Sequence, residues 1–166
     1  MNSPADFPFH YSSTVRLNAT ASEAFSFLDD PKRLSSHMGK SSMMMAGSKM
    51  EMNLDKNEGR GVGAEIILNG KMLGIPLYVR EFVTQSESPG HKVWETKGPQ
   101  KLVIMDQYRM GFELKPNGNT IELKVFIDYS LPKAGFSKML GQLLGKVYAK
   151  WCTDKMANDA AQHFAP

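Results

Sequence analysis

The chain has 166 residues, 42% of them hydrophobic and 22% charged, with a net charge of +3. That composition fits one soluble globular domain, large enough to bury ~70% of its unfolded surface in a single core. Its longest apolar runs are far short of a membrane span, and its lysines and arginines are interspersed with acids, which argues against integral membrane association and against nucleic acid. One cysteine, Cys152, allows no internal disulfide and no zinc site by itself. With no basic-then-apolar leader at the start, a reducing cytoplasm is the expected compartment.

Residues 1–8 carry two prolines and no period, and read as an irregular lead-in. Phe9 to Leu17 alternates, with Tyr11, Ser13, Val15 and Leu17 on one side, as a strand does. Ala21 to Leu28 reads as a short helix, with Thr20 and Glu23 spaced as a capping box. Asp30-Pro31-Lys32 starts a second short helix with proline at its first position, to be ended by Gly39 or the serines around it. Twelve methionines is a high number; Met43, Met44 and Met45 are consecutive, and Met50 and Met52 follow at strand spacing. Such side chains fill irregular apolar volume and also suit pockets that accept varied ligands.

From Ser48 the period becomes two, with Met50, Met52 and Leu54 alternating against Glu51, Asn53 and Asp55. Asn57 to Gly61 is a turn, and Gly63 to Gly70 and Leu73 to Gln85 are strands joined near Gly70 or Gly74. Ser86 to Gly90 is a turn, Lys92 to Lys97 a short strand, and Lys97-Gly98-Pro99 its close. Leu102 to Leu114 and Thr120 to Leu131 flank Lys115-Pro116-Asn117-Gly118-Asn119 as a hairpin. Pro132 ends the last strand, and Ala134 to Phe164 then runs as one helix of ~45 Å. Phe136, Leu140, Leu143, Leu144, Val147 and Trp151 form one stripe, expected to press on the sheet, with Lys138, Gln142, Lys146 and Lys150 opposite. Gly141 and Gly145 within it suggest close approach of another backbone, or room beside the helix. After Trp151 the stripe turns polar at Asp154, Asn158 and Gln162, which either bends into solvent or lines a cavity mouth.

The order is strand, two short helices, six strands and a long helix: one α+β domain over residues 9–164. A terminal helix after a run of antiparallel strands buries its face across the sheet, and a curved sheet leaves space beneath it.

Several segments resemble the helix-grip fold shared by START-type lipid carriers, birch-pollen-allergen-like proteins and polyketide cyclases (the START/SRPBCC superfamily). Ala21-Ser22-Glu23-Ala24-Phe25 resembles its opening helix, and Glu58-Gly59-Arg60-Gly61-Val62-Gly63-Ala64 its Gly-x-Gly turn into the third strand. Glu81 to Pro89 is similar to its strand ending in Val-Thr-Glu-x-x-Pro-Pro, with one proline missing, and Leu114 to Thr120 to its last hairpin. The resemblance implies a curved seven-stranded antiparallel sheet wrapped on the C-terminal helix. For function it implies only a range, since the superfamily holds carriers, enzymes and regulators.

If odd positions of the last strand face inward, Ile121, Leu123, Val125, Ile127 and Tyr129 line the interior, and the neighbouring strand adds Ile104, Asp106, Tyr108, Met110, Phe112 and Leu114. Asp106 and Tyr108 then interrupt an apolar row, as a polar anchor or an acid/base pair; the alternative places Asp106 at the wet rim. Glu81, among Ile75, Leu77, Val79 and Val83, poses the same question. Trp94 and Trp151 are either core mass or cavity wall. His10, His37, His91 and His163 share no metal-ligand spacing, and His37 alone would sit near a pocket entrance. No serine sits in a nucleophile elbow, and Gly59, Gly61 and Gly63 lack the following helix of a phosphate loop.

The first expectation is therefore a pocket of ~300–1,000 Å³ for a lipid, isoprenoid or polyketide-like aromatic, needing no cofactor and no metal. Its expected lining is Trp94, Met110, Phe112, Val125, Ile127, Tyr129, Leu144, Val147 and Trp151, with Asp106, Tyr108, Asp154 and Asn158 as polar contacts. The second is a cofactor-free cyclase or dehydratase using Asp106 or Glu81 with Tyr108. The third is a protein-interaction or regulatory module with a filled core, and monomer and homodimer are both open.

Overall fold

The computed structural model describes residues 6–36, 50–72 and 74–166. Strand β1 (Phe9–Leu17) leads to helices α1 (Ala21–Leu28) and α2 (Pro31–Leu34). Strands β2 (Met50–Leu54), β3 (Glu65–Met72), β4 (Ile75–Glu87), β5 (His91–Thr96), β6 (Tyr108–Asn117) and β7 (Thr120–Tyr129) follow, and α3 (Gly135–His163) closes the chain. The segment 37–49, with His37 and Met43 to Met45, lies outside the described residues.

The local chemistry explains these boundaries. Thr20 and Glu23 form the reciprocal capping box at the start of α1, so two otherwise unpaired backbone N–H groups are satisfied. Asp30 caps α2, and Pro31 occupies its first turn. Gly118 takes a φ of 62° in the two-residue turn between β6 and β7, a conformation that favours glycine.

All seven strands join one antiparallel sheet in the order β1-β7-β6-β5-β4-β3-β2. A bulge at Thr84 places Val83 opposite Trp94 but Gln85 opposite Val93, which bends β4. Strand β7 alternates strictly, with Ile121, Leu123, Val125, Ile127 and Tyr129 buried and the intervening residues half-buried. The buried row faces α3, and α1 packs over β6 through an edge-to-face contact of Phe25 and Phe112, 5.6 Å between centroids.

Two expectations need correction. Residues 102–107 do not continue β6 inward; they form an irregular loop tied to the end of β7 by Asp106 N–H to Ser130 O and Ser130 N–H to Gln107 O, both 2.9 Å. The helix is also turned over. Phe136, Leu143 and Val147 are 62%, 70% and 51% exposed, whereas the inward face is Gly141, Gly145, Ala149, Cys152, Met156 and Ala160. The physical reason is proximity. A Cβ on Gly141 would lie 2.9 Å from the Ile104 carbonyl oxygen and from Pro132 Cδ, so only a helix face without bulk can settle there. The sheet supplies the large side chains, and the helix supplies room for them.

Candidate functional site

Three strands project polar side chains toward one point of this interior. Glu81 lies on the inward face of β4 between Val79 and Val83, and is 5% exposed. The Tyr108 hydroxyl, at the start of β6, donates a short hydrogen bond to Glu81 Oε1. Tyr108 is itself held by Thr96 of β5, whose hydroxyl accepts from Tyr108 N–H at 3.0 Å. Burial pushes the Glu81 carboxyl up to about 7, opposed by the Tyr108 hydrogen bond and by the charge of Lys92. Burial also pushes the Tyr108 phenol well above its ordinary range, and the neighbouring carboxylate adds to that. The pair is thus a neutral phenol beside an acid that titrates near neutrality.

The pair borders a cavity between the sheet and α3. Its apolar walls include Leu77, Val79, Trp94, Ile127 and the loop from Leu102 to Met105, and five methionines contribute: Met50, Met72, Met105, Met110 and Met156. From α3 come Tyr148 and Cys152. Burial pushes the Cys152 thiol up to about 12, so it stays protonated at neutral pH and offers no thiolate for attack. The open volume is about 40 Å³, room for a few waters and well below the expected size of the pocket. Apolar side chains, the thioethers prominent among them, occupy the rest.

Beyond Trp94 the interior closes around a second buried charge. Lys92 of β5, 2% exposed, donates to Asp29 Oδ1 at 2.6 Å, to Asp29 O at 3.1 Å and to Gly59 O at 2.9 Å. Burial lowers its pKa, and the Asp29 carboxylate opposes that. Gly59 has a φ of 71°, and a Cβ there would come within 2.7 Å of Pro31, so the turn must be glycine for its carbonyl to reach Lys92. A void of about 10 Å³ lies here, bordered by Glu81, Lys92 and Trp94.

Of the residues expected at the site, the structure gathers Trp94, Tyr108, Met110, Ile127 and Glu81 around the cavity. Asp106 is half-buried in a surface groove with Pro8, Lys133 and Lys138, because its segment is loop rather than strand. Phe112 and Val125 are fully buried core, and Tyr129 stacks on Phe9 with centroids 5.4 Å apart. Leu144 and Trp151 are half-buried and pack against the core from the edge of the helix, while Val147 faces outward. Asp154 is paired with Lys150 and Asn158 is exposed, so the polar end of the helix does not border the cavity. Sequence reasoning missed Lys92. Its signal was there, since Lys92, Trp94 and Thr96 share one side of a short strand. Among the described residues no cluster of His, Cys, Asp and Glu could hold a metal ion, and no helix is long and apolar enough to cross a membrane.

No protein-family model and no curated protein sequence matches this chain. Solved structures do. An aromatase/cyclase from a Streptomyces species aligns over 93% of this chain and 92% of its own, with a TM-score of 0.63 and 12% identity. A norcoclaurine synthase point mutant from Thalictrum flavum aligns over 95% and 96%, with a TM-score of 0.60 and 15% identity. A major latex-like protein from Panax ginseng aligns over 95% and 98%, with a TM-score of 0.58 and 12% identity. At such identities the likeness concerns architecture: a bent seven-stranded antiparallel sheet, two short helices after its first strand and a long closing helix, which is the helix-grip fold.

Proposed function

We propose that this protein binds a small, largely apolar molecule carrying one polar group, seated between the sheet and α3 with that group against Glu81 and Tyr108. The observation that carries the reading is the Glu81 carboxyl, buried in a largely apolar wall with Tyr108 as its one hydrogen-bond partner among the described residues. A buried acid of this kind is costly unless paired, and one oxygen remains available to a ligand. The neighbours include an aromatase/cyclase and a norcoclaurine synthase, which makes small aromatic molecules a reasonable ligand class.

The 40 Å³ of open space requires the ligand to make its own room. Burying about 200 Å² of apolar surface contributes about 5 kcal/mol at ~25 cal/mol per Å². A methionine passes between staggered rotamers about three soft bonds, so the thioethers can give way to a guest where branched side chains would not. The test is binding of a fluorescent apolar probe, with native mass spectrometry of the purified protein for co-purifying small molecules. Probe binding is expected, and Met110→Trp, which fills the space, should abolish it while circular dichroism stays unchanged. A clean apo spectrum together with no probe binding would overturn the proposal in favour of a filled core serving protein interactions.

A second reading has its own support. An acid that titrates at about 7 matches a general acid or base working near neutral pH. A cofactor-free cyclisation or dehydration would use Glu81 to take and return the proton and Tyr108 to polarise a carbonyl. Turnover that Glu81→Gln removes while circular dichroism stays unchanged supports it, and binding without turnover counts against it.

A further inference from the structure

We infer that the outer face of α3 docks the folded protein on an anionic lipid surface. Phe136, Met139, Leu143 and Val147 are 62%, 56%, 70% and 51% exposed. At 100° per residue they span an arc of only ~80°, so they form one continuous apolar strip along the helix. Exposed apolar residues scattered singly need no explanation, but an aligned strip of this length does.

Charge decides what covers it. Between Asp128 and Asp154 the chain has no acidic residue, but it has Lys133, Lys138, Lys146 and Lys150. By the same geometry Lys146 runs along one edge of the strip and Lys150 continues its line at the C-terminal end, while Lys133 stands just before the helix and Lys138 turns toward the sheet-side groove. Among the described residues Lys133, Lys138 and Lys146 make no ion pair, and Lys150 is shared with Asp154 and the Tyr11 ring. Asp6 and Asp106 lie off the strip, in the sheet-side groove with Lys138, and Asp154 of α3 itself, paired with Lys150, ends the patch. An apolar strip with a lysine along one edge, a lysine at each end and no acid before Asp154 is the pattern of a helix lying in a membrane interface, its apolar side chains among acyl chains and its lysines among phosphates. A second copy of the chain fits poorly, because a two-fold contact along the strip would set lysines against lysines. Nucleic acid fits poorly as well, since the centre of the patch is apolar.

The inference is independent of what occupies the cavity. Its test is flotation of the full chain with vesicles of phosphatidylcholine, with and without phosphatidylserine. Binding is expected only with phosphatidylserine, and weaker as salt rises. Leu143→Ser with Val147→Ser should reduce binding at least about tenfold, and Lys146→Gln about fivefold. Val62→Ser, an exposed apolar position in the β2–β3 turn, should leave it unchanged. All these sites are at the surface, so circular dichroism should be unaffected. Absence of binding to either vesicle, or binding that the helix variants do not weaken, overturns the inference. Self-association abolished by the paired serine variant, without vesicle binding, overturns it in favour of a dimer.

Discussion

Glu81 and Lys92 hang from adjacent strands into the same interior, and the fold treats them in opposite ways. Lys92 donates to three oxygens, two of Asp29 and one of Gly59, each within 3.1 Å. All three ammonium protons are accounted for, and the group ties the end of α1 and the turn before β3 to the sheet. Among the described residues Glu81 has one hydrogen-bond partner, Tyr108, and it borders a cavity. A saturated buried charge is a structural fastening, whereas an unsaturated one keeps capacity for something else. The side chain with spare hydrogen-bonding capacity is therefore the better guide to function.

That contrast can be broken by experiment. Lys92→Met should cost the most, roughly 3–5 kcal/mol in urea denaturation, because it leaves the half-buried Asp29 carboxylate and the Gly59 carbonyl without their donor. A loss below about 1 kcal/mol would show that the fastening does not matter. Glu81 should reveal itself through pH instead. Its pKa rises from 4.5 to about 7 on folding, so between those values the folded protein holds a proton that the unfolded chain has released. Stability should then fall as pH rises from about 5 to about 7, by on the order of 3 kcal/mol, and level off above. Glu81→Gln should flatten that slope; an unchanged slope would refute the assignment. Tyr108→Phe should have the smallest effect, about 1–2 kcal/mol. Since the phenol's hydrogen bond favours the charged carboxylate, its loss should also move the pH midpoint further upward.

Much of the fold was legible because strand period, turn chemistry and caps are local. Thr20 with Glu23, Pro31 after Asp30, and the Asn117-Gly118-Asn119 turn each place a boundary by themselves. The site was only half legible. Tyr108 lies on the inward row that strand alternation indicates, and of the two acids weighed beside it, Asp106 two residues away and Glu81 two strands away, the fold brings Glu81 to its hydroxyl. Strand alternation gives no warning of where a strand starts, and residues 102–107 leave the pattern before β6 begins. The orientation of α3 was illegible for a different reason. Periodicity finds a bulky stripe and a small-residue stripe equally well, and which one faces the sheet depends on how close the helix lies.

That closeness makes the interior mechanically uneven. At Gly141 and Gly145 the helix that roofs the cavity sets its main chain close on the Ile104 carbonyl and the Leu131 side chain, and main chain yields only if the whole helix lifts. Elsewhere the walls carry five thioethers, each able to swing about three bonds. Guest size should therefore be set by the methionines and not by the helix. Exchanging Met72 or Met156 for stiffer leucine would narrow the range of molecules accepted without displacing the roof.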